Sequence, residues 1–285
     1  MSFLSIKFGK TMKKHLYIIT GASRGMGLAI AEQLLQADNF LLCISRTTQA
    51  SLQAAADAQG ASIEQWPLDL DHGQEAAAKL AQWLASRQPG RFASATLINN
   101  AGVLPPIAPL SQADPADIAK VLRVGLEAPM QLTAAFLHGT QAWFHAQSGL
   151  DVAGSGRQAG SNAPRFPRRV LNISSGNGRH AMASQAIYSA AKAGMDHFTR
   201  CLALEEAVAP HGARVCSLAP GVVDTDMQTH LRAADPSAFP DHGRFVDLKT
   251  QGQLTSPADA AARVLAYLAR PDFGSNPVAD VRDAQ

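Results

Sequence analysis

Tyr188 and Lys192 stand four residues apart in "IYSAAKAGMDHF" (187–198), a run of small and apolar residues that otherwise reads as a helix. On a helix this spacing sets a phenol and an ammonium on one face, one turn apart. A free tyrosine has a pKa of about 10 and is a poor proton partner at neutral pH. A cation beside it favours the phenolate, so the expected pKa of Tyr188 moves down toward the working range. The pair is a candidate for proton transfer. A pair at this spacing is also a common surface contact, so its meaning rests on its surroundings. Ser174 and Ser175 close the apolar run "RVLNIS" (169–174) and offer hydroxyls, although serines after a strand also cap turns and helices.

A second constellation lies in "IITGASRGMGLAIAEQLL", where Gly21, Gly25 and Gly27 separate an apolar run from a helical one. Glycine permits positive φ and close backbone approach, and a helix N-terminus presents free N–H groups to a phosphate. The spacing is G-x-x-x-G-x-G rather than G-x-G-x-x-G. Where an acidic residue would grip a ribose 2′-hydroxyl at the end of the second strand, the chain reads Ser45-Arg46. Arg24 lies in the glycine loop itself. Two cations and no carboxylate suit a 2′-phosphate, so NADP(H) is expected over NAD(H).

These groups need a frame. Short apolar runs at 15–20, 40–45, 61–66, 94–99, 169–174 and 213–218 alternate with helical stretches such as 25–37, 72–87, 117–146 and 185–209. Strand–helix alternation with near-continuous apolar strands predicts an α/β fold: a doubly wound, Rossmann-like parallel sheet covered on both faces, with ligands at the carboxyl ends of the strands. The Gly-, Ser-, Pro- and Arg-rich segment at about 148–169 reads as a flexible insertion. Residues 228–256 read as an irregular flap. Residues 1–14 read as a flexible leader, with Met12 an alternative start, ahead of a single domain over 15–285. The leader lacks the long apolar core of a signal peptide.

With 46% hydrophobic and 17% charged residues, a chain of this length buries a sizeable core. A net charge of +2 implies no broad attraction to nucleic acid or membrane. No apolar run reaches the length of a membrane span. Cys43, Cys201 and Cys216 sit among apolar neighbours and read as reduced thiols of a cytoplasmic protein, with no metal set.

Taken together, "TGASRGMG" (20–27), "NNAG" (99–102), "NISS" (172–175), "YSAAK" (188–192) and "PGVVDT" (220–225) resemble, in order and spacing, the motifs of the short-chain dehydrogenase/reductase family. "SRTTQ", "NISSGNGRHA", "APGVVDTDMQ" and "RFVDLKTQGQLTSPADAA" resemble its sepiapterin reductase and benzil reductase branch. The resemblance implies an NADPH-dependent reductase of ketones or vicinal dicarbonyls, cytoplasmic, forming a homodimer or homotetramer.

It also implies roles. Ser175, Tyr188 and Lys192 would be catalytic, Lys192 also holding the nicotinamide ribose. Gly21, Ser23, Arg24, Gly25, Met26, Gly27, Arg46, Asp69, Asn100, Ala101, Gly102, Pro220, Gly221, Val223 and Thr225 would bind the cofactor. Asp69 and Thr225 are equally read as helix caps. On the substrate side His180, Met182, Met227 and Asp280 are candidates, with Leu231 and Phe245 as further apolar lining. His180 and Asp280 also read as surface residues, and the Met and Phe residues as core.

One position departs from the family pattern. Gly125 stands where the family carries an asparagine that supports a proton relay. A kink is expected there, and Gly125→Asn is expected to raise activity if the relay is impaired. That departure motivates an alternative: a weakly active or non-catalytic NADPH-binding sensor or scaffold. A third reading keeps the chemistry and changes the substrate to an acyl thioester or a sugar.

Overall fold

The computed structural model describes residues 13–143 and 168–283. Seven strands form one parallel sheet: β1 (Lys14–Thr20), β2 (Asn39–Ser45), β3 (Ser62–Pro67), β4 (Phe92–Asn99), β5 (Arg168–Ile173), β6 (Arg214–Ala219) and β7 (Val278–Asp280). Their order is β3-β2-β1-β4-β5-β6-β7. The order reverses between β1 and β4, and the crevice above that switch point is where such sheets take ligands.

The central strands are buried on both faces, which is why they read as unbroken apolar runs. Leu16 and Ile18 face one layer, with Leu42, Leu97 and Phe136. Ile19 faces the other, with Leu41, Ile98, Leu171 and Leu218. Among the described residues the helices are α1 (Gly25–Leu34), α2 (Ala50–Gln59), α3 (Gly73–Ala85), α4 (Pro115–Leu122), α5 (Ala128–Thr140), α6 (Ala186–Val208), α7 (Asp226–Arg232), α8 (His242–Thr250) and α9 (Pro257–Ala269). A π-helical turn, Arg123–Glu127, joins α4 to α5. The single helix expected over 117–146 is therefore divided, and Gly125 sits inside the wide turn.

Two of the sequence expectations change. The flap at 228–256 is not wholly irregular: it carries the end of α7 and all of α8, joined by non-helical chain. The leader and most of the expected insertion lie outside the described residues, but Arg168 and Arg169 open β5 rather than ending an insertion. Arg168 is buried there, and its guanidinium donates to the carbonyls of Leu137 and His211.

Candidate active site

The glycine loop is bolted to the end of β4. Thr20 Oγ1 accepts from the amides of Asn100 and Ala101 at 2.9 and 3.0 Å. Asn100 Nδ2 returns a bond to the Thr20 carbonyl at 3.0 Å. Gly21 has φ 70° and Gly25 φ 56°, a region open to glycine. A Cβ at Gly27 would collide with the Gly21 carbonyl oxygen and the Asn100 amide, so the start of α1 lies directly against the loop. No side chain caps α1, which leaves its first N–H groups facing the crevice. Gln49 Nε2 ties the Ser23 carbonyl at 2.6 Å. Met26 is buried in the core beneath.

Opposite this loop, Gly221 has φ 81°, and the segment after β6 is pinned to Thr255. Thr255 donates to the Val222 carbonyl and accepts from the Asp224 amide. Val223 bridges Thr255. Thr225 Cγ2 lies 3.4 Å from where a Gly25 Cβ would stand, so the segment beginning at Pro220 closes over the glycine loop. Arg24 and Asp226 clasp across the opening at 2.8 Å, both well exposed. Arg46 is exposed at the end of β2. Asp69 accepts from the Asp71 amide at 3.0 Å, so its capping role is present. The crevice and the uncapped N-terminus of α1 fit a nicotinamide dinucleotide.

The catalytic candidates meet at the ends of β5 and α6. The buried face of α6 runs through Ala191, Lys192, Met195, Asp196, Thr199 and Leu202, a helical stripe set against the sheet. Tyr188 is half-buried and hydrogen-bonded to Ser175. Lys192 Nζ donates to the Ile173 carbonyl at 2.7 Å and lies 5.7 Å from the Tyr188 ring centre. Gly102 joins them: a Cβ there would sit 3.5 Å from the Met227 methyl and 3.9 Å from Lys192 Nζ. Ser174 is buried, with its hydroxyl donated to Asp196 at 2.6 Å, whereas Ser175 faces Tyr188.

One electrostatic expectation is not met by the protein's own groups. Burial is the larger influence on Tyr188 and raises its pKa above the usual tyrosine value, while the Ser175 hydrogen bond works the other way. The protein alone therefore keeps the phenol protonated. Burial likewise pushes Lys192 down to about 8, with the Asp196 carboxylate opposing the shift.

The substrate-side candidates divide. Met182, Leu231 and Phe245 gather in a small apolar cluster with Ile107 and Phe239, and Met227 borders Gly102. His180 is exposed. Asp280 is buried at the end of β7, and Arg282 grips its two oxygens at 2.8 and 2.6 Å, holding its pKa below the usual carboxylate range. It is already committed to a partner within its own chain.

Gly125 also has a packing role. A Cβ there would stand 3.3 Å from Ala191 Cβ, the residue before Lys192. An asparagine would crowd α6, so the expected gain from Gly125→Asn does not follow from this geometry.

A family model described as enoyl-(acyl carrier protein) reductase matches residues 21–275. The chain belongs to the short-chain dehydrogenase/reductase family. A relative from Bacillus cereus, benzil reductase ((S)-benzoin forming), is 32% identical over 256 residues, covering 90% of this chain and 94% of its own. Sepiapterin reductase from Xenopus tropicalis is 29% identical over 280 residues, covering 94% and 96%. The crystal structure of the KRED1-Pglu enzyme superposes with a TM-score of 0.69 at 25% identity, covering 90% of this chain and 95% of that one. Members of the family are oxidoreductases that use nicotinamide cofactors.

Sequence reading missed Asp196. Its signal was available: it lies four residues beyond Lys192 and eight beyond Tyr188, on the same helical face.

Proposed function

We propose that this protein is an NADPH-dependent reductase of ketones or vicinal dicarbonyls, with aromatic diketones and pteridine-like dicarbonyls as the favoured substrate classes. The observation that carries the reading is the convergence of Ser175, Tyr188 and Lys192 at one edge of the crevice above the sheet's switch point. The likeness to benzil and sepiapterin reductases supports the carbonyl class. Arg24 and Arg46 support the 2′-phosphate.

NADPH, when bound, supplies a hydride to the carbonyl carbon. Ser175 donates a hydrogen bond to the carbonyl oxygen and steadies its developing negative charge. Tyr188, kept protonated by burial, gives its proton to that oxygen and completes the alcohol. Lys192 holds the nicotinamide ribose and stabilises the phenolate left behind. Gly21, Ser23, Gly25, Met26 and Gly27 line the phosphate side, with Asp69, Asn100, Ala101 and Gly102 along the adenosine wall. Pro220, Gly221, Val223 and Thr225 close the nicotinamide side. Met182 and Met227 face the substrate. Leu204 and Val208 on α6 and Met130 on α5 are apolar yet exposed, which supports a homodimer or homotetramer. NADPH oxidation on a carbonyl panel tests the reading: turnover of benzil or a pteridine dicarbonyl is expected, and NADPH binding with no turnover of any carbonyl would favour the binding-protein alternative.

A further inference from the structure

Asp196 is 1% exposed and gathers three partners, two from the turn after β5 and one from β6. Its Oδ1 accepts from Ser174 and Ser217, each at 2.6 Å. Its Oδ2 accepts from Arg179 Nε at 3.1 Å. Arg179 in turn donates to the Ala279 carbonyl of β7 at 2.8 Å. A carboxylate is rarely buried unless paired and hydrogen-bonded, and here the contacts go to the turn after β5 and to β6, with β7 reached through Arg179.

The placement of those contacts matters more than their number. Ser174 and Arg179 flank the turn that carries Ser175, and both are tied to the same carboxylate. The turn approaches α6 so closely that a Cβ at Gly178 would stand 3.0 Å from both Asp196 Oδ2 and the Lys192 carbonyl oxygen. Asp196 also lies one helical turn from Lys192 on the buried face of α6. The charged and titratable groups around it are Lys192 on its own helix, Arg179 from the turn after β5, and Cys216 from β6. Burial pushes the Cys216 thiol up to about 12, so it stays neutral. On β7, Asp280 faces Arg179 and is satisfied by Arg282.

We propose that Asp196 is a positioning residue for the reaction: it fixes the turn that carries Ser175 and supplies the buried negative charge opposite Lys192. Arg179 balances that charge from one side and Lys192 from the other. The carboxylate thus links the group that holds the substrate oxygen to the group that governs the phenol. This deepens the reductase reading and rests on it.

Two variants separate the two halves. Asp196→Asn keeps a side chain of similar size and removes the charge. It should lower kcat/KM at least about tenfold and move the alkaline limb of the profile roughly one pH unit lower. Ser174→Ala keeps the charge and loosens only the turn. It should lower kcat at least about fivefold and leave the limb in place. A third readout needs no turnover: the 13Cε resonance of Lys192, assigned by its loss in Lys192→Arg, should titrate at lower pH in Asp196→Asn. An unmoved Lys192 titration overturns the charge half, and native kcat in Ser174→Ala overturns the positioning half. If wild-type protein reduces no carbonyl, the reductase reading and with it the catalytic role of the turn fail, while the resonance still decides the charge. If Asp196→Asn does not fold, Asp196→Glu decides it: a Lys192 titration at the wild-type pH supports the charge role, and one shifted lower by a unit overturns it.

Discussion

The ammonium of Lys192 donates to the Ile173 carbonyl at 2.7 Å, so α6 closes onto the last residue of β5, two positions before Ser175. That bond holds the proton-transfer side chain and the oxygen-binding side chain in one frame. Replacing Lys192 with Met leaves a buried carbonyl without a donor, at a cost of ~1–3 kcal/mol. Removing the buried charge offsets part of that cost. Lys192→Met should therefore fold, bind NADPH at least about tenfold more weakly, and lose turnover. Native affinity measured by fluorescence titration would contradict the role given to the lysine.

The same burial sets a pH dependence. Lys192 sits at about 8 against an ordinary value of 10.5, so its ammonium prevails below about 8 and is lost above. kcat/KM reports the free enzyme and should fall as pH rises through that region. Between the two values the unfolded chain binds the additional proton, so this group's contribution to stability rises with pH across that window. A flat kcat/KM profile from pH 6 to 10 would contradict the assignment.

Arg24 is expected to serve the cofactor, yet in the structure it is paired with Asp226. An exposed pair is worth about 0–1 kcal/mol, so breaking it costs little. Asp226→Asn should tighten NADPH binding by up to about fivefold and leave NADH unchanged. Arg24→Ala and Arg46→Ala should each erode the preference for NADPH. Equal effects on both dinucleotides would show that the arginines do not read the 2′-phosphate.

Gly125→Asn should lower activity rather than raise it. Its Cβ alone meets Ala191 at 3.3 Å, and overpacking a buried site costs typically ~1–3 kcal/mol. Displacement of Ala191 would carry Lys192 with it. Thermal unfolding and kcat should fall together; a faster variant of native stability would restore the relay explanation.

The sheet was legible because its strands are apolar on both faces, and the phosphate loop because three glycines interrupt a strand–helix junction. α2 was passed over: only Leu52 and Ala56 are buried along it, too few to mark a stripe. β7 has three residues, too short for any periodic signal. The kink expected at Gly125 marked the place where α4 gives way to α5, but a full break was not foreseen there, where a π turn at Arg123–Glu127 is followed at once by Pro129. The direction of the Tyr188 shift was misread because spacing reports a neighbouring cation and not burial, which raises the phenol's pKa with only the Ser175 hydrogen bond against it. Asp196 shared a helical face with Tyr188 and Lys192, but its donors, Ser174 and Arg179 after β5 and Ser217 on β6, come together only in the fold.

The most direct measurement is NADPH oxidation at neutral pH with benzil, a pteridine dicarbonyl and a simple aromatic ketone, with Tyr188→Phe assayed beside wild type. The account predicts turnover of at least one dicarbonyl, and a variant that still binds NADPH but is slowed by a factor of about 10²–10⁴. Tyr188→Phe turning over at the wild-type rate would contradict it.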